Sequence, residues 1–467
     1  MTAFFNIHST LIFILLFSAA TLKAQKVDFS NDTTTVEAIY HHTLTNGKCY
    51  EWLDYLCNKI GARLSGTPAY LAAAEYTRQV LDTLGLDSVW LQPVIVPHWD
   101  RGEKEIARVI NSSRGSYDLR VLALGNSVAT GEKGIQGEII EILSNEQLQQ
   151  LGEKGVKGKI VFFNRPMERG IVRTMSAYGR AVDQRYSMPT EAAKLGAIGA
   201  IVRSMTTKID TFPHTGGTQY LPEGPNIPAF AVCTQDAETL SDLLQSGPVS
   251  VYMRSTSNML ADKPSCNVIG EIRGSEFPEE IIVIGGHLDS WDIGQGAHDD
   301  GTGCVQSMQV LYTMKSMGYK PKRTIRCVLF TNEENGLRGG TEYAAQAKSK
   351  GEKHIAALES DSGGFTPRGF NFEGHPDIFV EKFRKTAPFV DLLAPYGLSF
   401  NPGGSGADIS PLKEQKTLLI GFQPDLHRYF DYHHAATDVF TAVNQRELEM
   451  GAASMTALIF LIDKYGL

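Results

Sequence analysis

The sequence predicts an α/β protein: a mostly parallel mixed sheet flanked by helices, with a second unit inserted into it. Three observations predict this. From Asn267 onward, apolar runs of strand length alternate with helix-length segments, the spacing that builds parallel sheets covered on both faces. Acids and histidines gather just beyond the carboxyl ends of those runs, the edge where open α/β sheets bind ligands. Residues 113–257 differ in texture, with short strands and Gly-rich turns and none of that clustering. A chain of 467 residues also exceeds the size at which one core usually stops growing, so more than one unit is expected.

The elements follow in order. The apolar run LIFILLFSAA, residues 11–20, is too short to span a bilayer, and with the following TLKA it predicts a signal peptide over residues 1–24. The residue directly after Ala24 is Gln25 and not Cys, so the mature chain is expected to be soluble, secreted or periplasmic, without a stable membrane anchor. Residues 35–59 carry helical apolar spacing, and GARLSGTP (61–68) breaks it. Thr67 can cap a second helix that takes Pro68 into its first turn and stops at Gly85. Residues 89–96 read as a strand. Within 113–257, residues 158–163 read as a buried strand and 191–203 as a short helix feeding another, while Pro213-His214-Thr215-Gly216-Gly217 reads as a surface turn. Thereafter residues 267–272 and 280–284 look like paired strands, 303–317 a helix, 324–330 a strand, 341–350 a helix, 354–358 a strand, 378–386 a helix, 416–422 a strand and 445–465 a closing helix.

Charge excludes one class of partner. With 44 Lys plus Arg against 52 Asp plus Glu, the formal net charge is −8 and no long basic run appears, so nucleic acid is not expected. Six cysteines without a close C-x-x-C pair form neither a thiolate zinc site nor a disulfide framework. They are expected as buried thiols; export would allow a disulfide, Cys49 with Cys57 for example, but the sequence does not assign the pairing.

The chemistry concentrates in IGGHLDSWDIGQGAHDDGTGC, residues 284–304, where an apolar run releases His287, Asp289, Asp292, His298, Asp299 and Asp300 within fourteen residues. Crowded carboxylates and imidazoles cost repulsion and desolvation unless a cation offsets them. Three later strand exits add Asn332-Glu333-Glu334-Asn335, Glu359-Ser360-Asp361 and His433-His434. The natural donors are His287, Asp299, Glu334, Asp361 and His434. Nitrogen and oxygen donors without thiolates suit zinc, with cobalt or manganese as substitutes. They exceed the need of one ion and match two ions sharing a carboxylate, roughly 3.5–4 Å apart in such sites. Asp289 can orient the His287 imidazole, and Glu333 is left for proton transfer, provided that the chain leaves strand geometry near Asn332. His41, His42, His98, His214, His298 and His433 read as exposed or structural, and Asp292 as a loop residue. Asp408, in the Gly-rich loop 401–408, is a candidate for binding a substrate amine.

The runs GGHLDSWDIGQGAHDDGTG, TNEENGLRGG, ESDSGG and HHAATD, together with RLSGT at 63–67 and PHTG at 213–216, resemble the co-catalytic zinc exopeptidases, in particular their carboxypeptidase Q branch. The resemblance implies a zinc exopeptidase fold over residues 25–112 plus 258–467, with a protease-associated (PA) domain at 113–257. It implies two Zn²⁺ ions, one held by His287 and Asp361, the other by Glu334 and His434, bridged by Asp299, with a cis peptide between Asp299 and Asp300. Glu333 would be the general base, and Asp289 the partner of His287. The function implied is hydrolysis of dipeptides or short peptides by water activated between the two ions, in a chain that could pair as a homodimer. An aminopeptidase using the same di-zinc site is the alternative; a non-catalytic receptor-like homologue is disfavoured because every donor is retained.

Overall fold

The computed structural model describes residues 29–467; the signal segment expected at 1–24 lies outside them. The description rests on two eight-stranded sheets. In the first, the strands run in the order Ser88–Asp100, Asn258–Ile272, Arg323–Phe330, Phe277–His287, Lys353–Glu359, Leu418–Pro424, Pro367–Glu373 and Ser399–Pro402. The four central strands, from Arg323–Phe330 to Leu418–Pro424, are mutually parallel, and antiparallel strands flank them.

The sequence neighbours 267–272 and 280–284 are not a pair. Arg323–Phe330 lies between them, antiparallel to one and parallel to the other. This insertion lets Phe277–His287 point the same way as the three strands that share the site.

Period-two alternation decides the layering. Ile282 and Ile284 face a core shared with the helices Thr302–Ser316 and Gln445–Tyr465, whereas Ile281 and Val283 pack with Tyr343 and Ala344 of the helix Arg338–Lys350. A strand buried on both faces must be apolar throughout, as 281–284 is. The helix Pro68–Thr83 starts as its sequence predicts: the Thr67 hydroxyl accepts from the Tyr70 amide at 3.2 Å and Pro68 takes the first turn. Asn444 caps the closing helix in the same way through the Glu447 amide. The region read as one helix over 35–59 is two helices, Asp32–Asn46 and Cys49–Tyr55, and a π-helical turn, Leu56–Ile60, because Gly47 interrupts it.

The second sheet draws its strands from Ile106–Asn111 through Ser250–Arg254, so it includes a strand ahead of residue 113. It is parallel at its centre, through Ile135–Ile142, Ile160–Phe163, Gly199–Arg203 and Ala229–Val232. Its apolar clusters are continuous with the rest of the chain: Met167, Met188 and Val202 pack with Phe365, Tyr429 and Phe430, and Ile139 and Phe230 belong with Leu64 and Trp291. All six cysteines are buried free thiols, so the Cys49–Cys57 pairing is not formed. No helix among the described residues is long and apolar enough to cross a membrane.

Candidate metal centre

The four central parallel strands deliver the site residues at one sheet edge. His287 is the last residue of its strand, and Glu333–Glu334, Asp361 and His434 follow the three others. Asn332 adopts a left-handed conformation, φ 68°, which takes the chain out of strand alternation directly after Phe330 and lets both glutamates serve the same side. Asn332 is held there by its amide, which donates to Ser65 Oγ at 2.7 Å and to Asn335 Oδ1 at 2.6 Å.

Asp299 lies at the centre. Its Oδ1 is 3.3 Å from His287 Nε2 and its Oδ2 is 3.3 Å from His434 Nε2. Asp361 Oδ1 is 3.5 Å from the same nitrogen of His287, and Glu334 Oε2 is 3.2 Å from that of His434. The far nitrogens are occupied by backbone: His287 Nδ1 lies 3.0 Å from the Asp289 carbonyl oxygen and His434 Nδ1 lies 3.2 Å from the Thr215 carbonyl oxygen. Protons on both Nδ1 atoms leave both Nε2 lone pairs turned toward the carboxylates. The Asp299–Asp300 peptide is cis.

The Asp289 carboxylate does a different job from the one its sequence position suggests. It is 3.9 Å from His287 Nδ1 and instead accepts from the Glu333 amide at 3.1 Å and the Glu334 amide at 3.4 Å. Those two amides have left the strand ladder and need an acceptor. Asp289 therefore positions the two glutamates, and its own carbonyl orients His287.

Burial dominates the electrostatics. It raises the carboxyls of Glu334 and Asp361 and pushes Glu333 up to about 8, with Asp361, Asp289 and Asp299 adding repulsion in the last case. Asp299 goes the other way: burial opposes its charge, but His287 and His434 outweigh it and hold the carboxyl well below the usual range. His287 is raised despite burial because Asp299 and Asp361 face it. Asp299 Oδ2 and Glu334 Oε1 are buried without a hydrogen-bond donor. Clustered acids with orphaned oxygens and two free imidazole nitrogens fit cations of the zinc type. Ligand atoms of His287, Asp299 and Asp361 lie within 4.8 Å of one another, as do those of Asp299, His433 and His434.

His433 is thus closer to the centre than a structural histidine needs to be. Its ring stacks on His434 at 3.6 Å between centroids and its Nδ1 has no partner. His434, unlike His433, touches both Asp299 and Glu334, and it carries the backbone bond that fixes a ligand tautomer. His298 is structural: it accepts from the Gly364 amide at 3.2 Å, stacks on Phe365 and reaches the Ala442 carbonyl. Asp292 forms a two-point pair with Arg101. Asp408 does not reach the cavity. It is 1% exposed, behind Glu359, whose carboxylate accepts from the Asp408 and Ile409 amides.

Four supports escaped the sequence reading. Arg63, 0% exposed, donates to the carbonyls of Leu288 (2.5 Å), Gln295 (2.7 Å) and Gly296 (2.8 Å), and so shapes the loop between His287 and Asp299. Asp438 accepts from the His298 and Asp299 amides at 2.7 and 3.1 Å, and burial pushes its carboxyl up to about 7. Asp300 accepts from the His287 amide, across a gap that only Gly286 leaves open, since a Cβ there would run into the Asp300 carboxylate. The loop 213–217, read as a surface turn, is buried at His214 and Thr215 and backs His434. The Thr215 amide also donates to the His434 carbonyl at 2.9 Å. The RLSGT and HHAATD motifs contained the first two as letters; nothing in composition marked the loop as buried.

A cavity of about 730 Å³ opens over the centre, lined on one side by Asp299, Glu333 and His434 and on the other by Tyr178 and Arg185, from the short helices Thr174–Gly179 and Asp183–Tyr186, and by Tyr220.

Comparison with known proteins agrees with this geometry. The profile of peptidase family M28 matches residues 267–459, which carry all the donors. Bovine (Bos taurus) carboxypeptidase Q is 34% identical over 419 residues, covering 89% of this chain and 85% of its own length. The crystal structure of a peptidase M28 precursor from Shewanella amazonensis superposes with a TM-score of 0.86 at 30% identity, covering 93% of this chain and 97% of that one. A zinc aminopeptidase from Bacillus subtilis shares the fold, with a TM-score of 0.62 at 19% identity over 88% of this chain and 93% of its own. The chain belongs to peptidase family M28, among its carboxypeptidase Q-like members, and is a metallopeptidase.

Proposed function

We propose that the protein is an exported di-zinc exopeptidase that removes residues from dipeptides or short peptides in the carboxypeptidase direction, with residues 113–257 as an inserted protease-associated domain. The observation that carries the reading is Asp299, whose two oxygens each face a different imidazole, each imidazole in turn facing a further carboxylate. His287 and Asp361 would hold one ion, Glu334 and His434 the other, and Asp299 both. Bound zinc would lower the pKa of a water toward neutrality and polarise the scissile carbonyl.

The remaining chemistry belongs to side chains. Glu333 lines the cavity, where its carboxylate would take a proton from the attacking water and return it to the leaving amine. Its backbone is fixed by Asp289, so the base and the neighbouring ligand Glu334 move together. No serine or cysteine is placed as a nucleophile in the cavity lining, consistent with direct attack by water.

Elemental analysis of the purified protein should give two zinc ions per chain, and a chelator should abolish hydrolysis. Glu333→Gln should keep both ions and lose turnover by about 10²–10⁴-fold. A zinc-free active protein, or a fully active Glu333→Gln variant, would overturn the reading.

A further inference from the structure

Arg185 is 6% exposed, yet among the described residues no ion pair joins it to an acid. Among the described residues it is also the sole Lys or Arg lining the 730 Å³ cavity. Its Nη2 donates to the Tyr178 hydroxyl at 2.8 Å and its Nη1 to the Thr215 carbonyl at 3.3 Å, while its Nε is buried without a partner. A guanidinium carries five N–H donors in a fixed fork, so most of this group's capacity is unmet. His434 Nδ1, also 3.3 Å from Nη1, cannot accept from it when its own proton points to the Thr215 carbonyl.

Burying a cation without a counter-charge is costly, and a cavity wall is where a ligand can supply one. Tyr178 extends the receiver. Its oxygen accepts from Arg185, so its own O–H remains free, and the ring lines the same wall. Across the cavity every lining acid, Asp299, Glu333, Glu334 and Asp361, is already engaged by the proposed ions or as the base. Nothing acidic is left to hold a substrate α-ammonium, whereas a cation and a hydroxyl are left to hold an α-carboxylate.

We infer that Arg185, with the Tyr178 hydroxyl, binds the C-terminal carboxylate of the substrate and thereby sets the direction of cleavage. This rests on the exopeptidase reading above and adds the group that decides which end is held. The pair lies beside His434, so a carboxylate docked on it belongs to the residue just beyond the bond facing the metal centre. That favours dipeptides and the last peptide bond of short peptides.

The test uses the zinc-loaded full chain with alanyl-alanine and its C-terminal amide. Wild type should prefer the free acid by about tenfold to a hundredfold in kcat/KM, mostly through KM, since one charge-assisted pair is at stake. Arg185→Leu should collapse that preference, and Arg185→Lys should restore part of it. Calorimetry with the reduced-bond dipeptide, as acid and as amide, should show the same discrimination in wild type and its loss in Tyr178→Phe and Arg185→Leu, independently of turnover. If Arg185→Leu fails to fold, Arg185→Lys and Tyr178→Phe decide by the same ratio. A wild-type preference for the acid that survives in the variants, with kcat falling alike on both substrates, would make Arg185 a brace for His434 and overturn the inference alone. A wild-type preference for the amide would overturn the carboxypeptidase reading with it.

Discussion

Replacing Arg63 with leucine isolates the support of the first metal loop. The guanidinium is fully enclosed and donates to the Leu288 and Gln295 carbonyls, while the Gly296 carbonyl it also reaches accepts from the Gly301 amide as well. A buried acceptor left unpaired costs about 1–3 kcal/mol, and leucine regains part of that as apolar contact, so with two carbonyls orphaned a net loss of about 3 kcal/mol follows for the 288–296 segment. Because this segment joins His287 to Asp299, the loss is borne by the order of two proposed ligands. If half of it appears in metal binding, zinc affinity falls roughly tenfold, at about 1.4 kcal/mol per decade. Titration of zinc-loaded protein with a competing chelator measures this directly. Hydrogen exchange over residues 288–297 reports whether the loop itself has loosened. A variant with wild-type chelator resistance and wild-type protection would refute the claim that Arg63 orders the loop.

Gly216→Ala should destabilise the protein by about 2–4 kcal/mol and weaken zinc retention, because φ is 127° and the new Cβ would collide with the Arg185 guanidinium and sit 2.6 Å from His434 Nδ1; thermal unfolding with and without zinc checks it. His354 and His298 are buried imidazoles whose pKa burial lowers to about 4. The unfolded chain protonates first, so stability is full above pH 6.5 and drains as pH falls toward 4, by about 3 kcal/mol per imidazole. His354→Gln can keep the hydrogen bond with the Tyr343 hydroxyl, 2.8 Å in the wild type, and should flatten the melting-temperature slope between pH 4 and 6.5; an unchanged slope would remove His354 as a source.

The convergence of the candidate residues was legible because parallel strands leave their polar residues at one edge, so four acid- or histidine-bearing strand exits imply one crevice. The closing helix 445–465 was legible as well, and the structure begins and ends it at the same residues. Strand order was not. Periodicity says which face of a strand is buried but nothing about its neighbour, and so residues 267–272 and 280–284 looked like a pair when Arg323–Phe330 separates them. The role of Asp289 was half legible, since the sequence places it near His287 but not under the amides of Glu333 and Glu334, 44 and 45 residues away. Arg185 had no local signal. Its meaning arises only where the second sheet meets the first and its charge finds no acid.

The carbonyl that fixes the His434 tautomer belongs to Thr215, 219 residues away on a loop of the second sheet. In a chain made from its amino end, Thr215 emerges long before His434, and the second sheet is complete before the last histidine exists. A truncated or half-folded chain therefore lacks a correctly turned imidazole as well as a full cavity. Hydrolytic competence is withheld until both layers have closed on each other. The same tie means that excising residues 106–254 would remove part of the engine rather than a detachable cover.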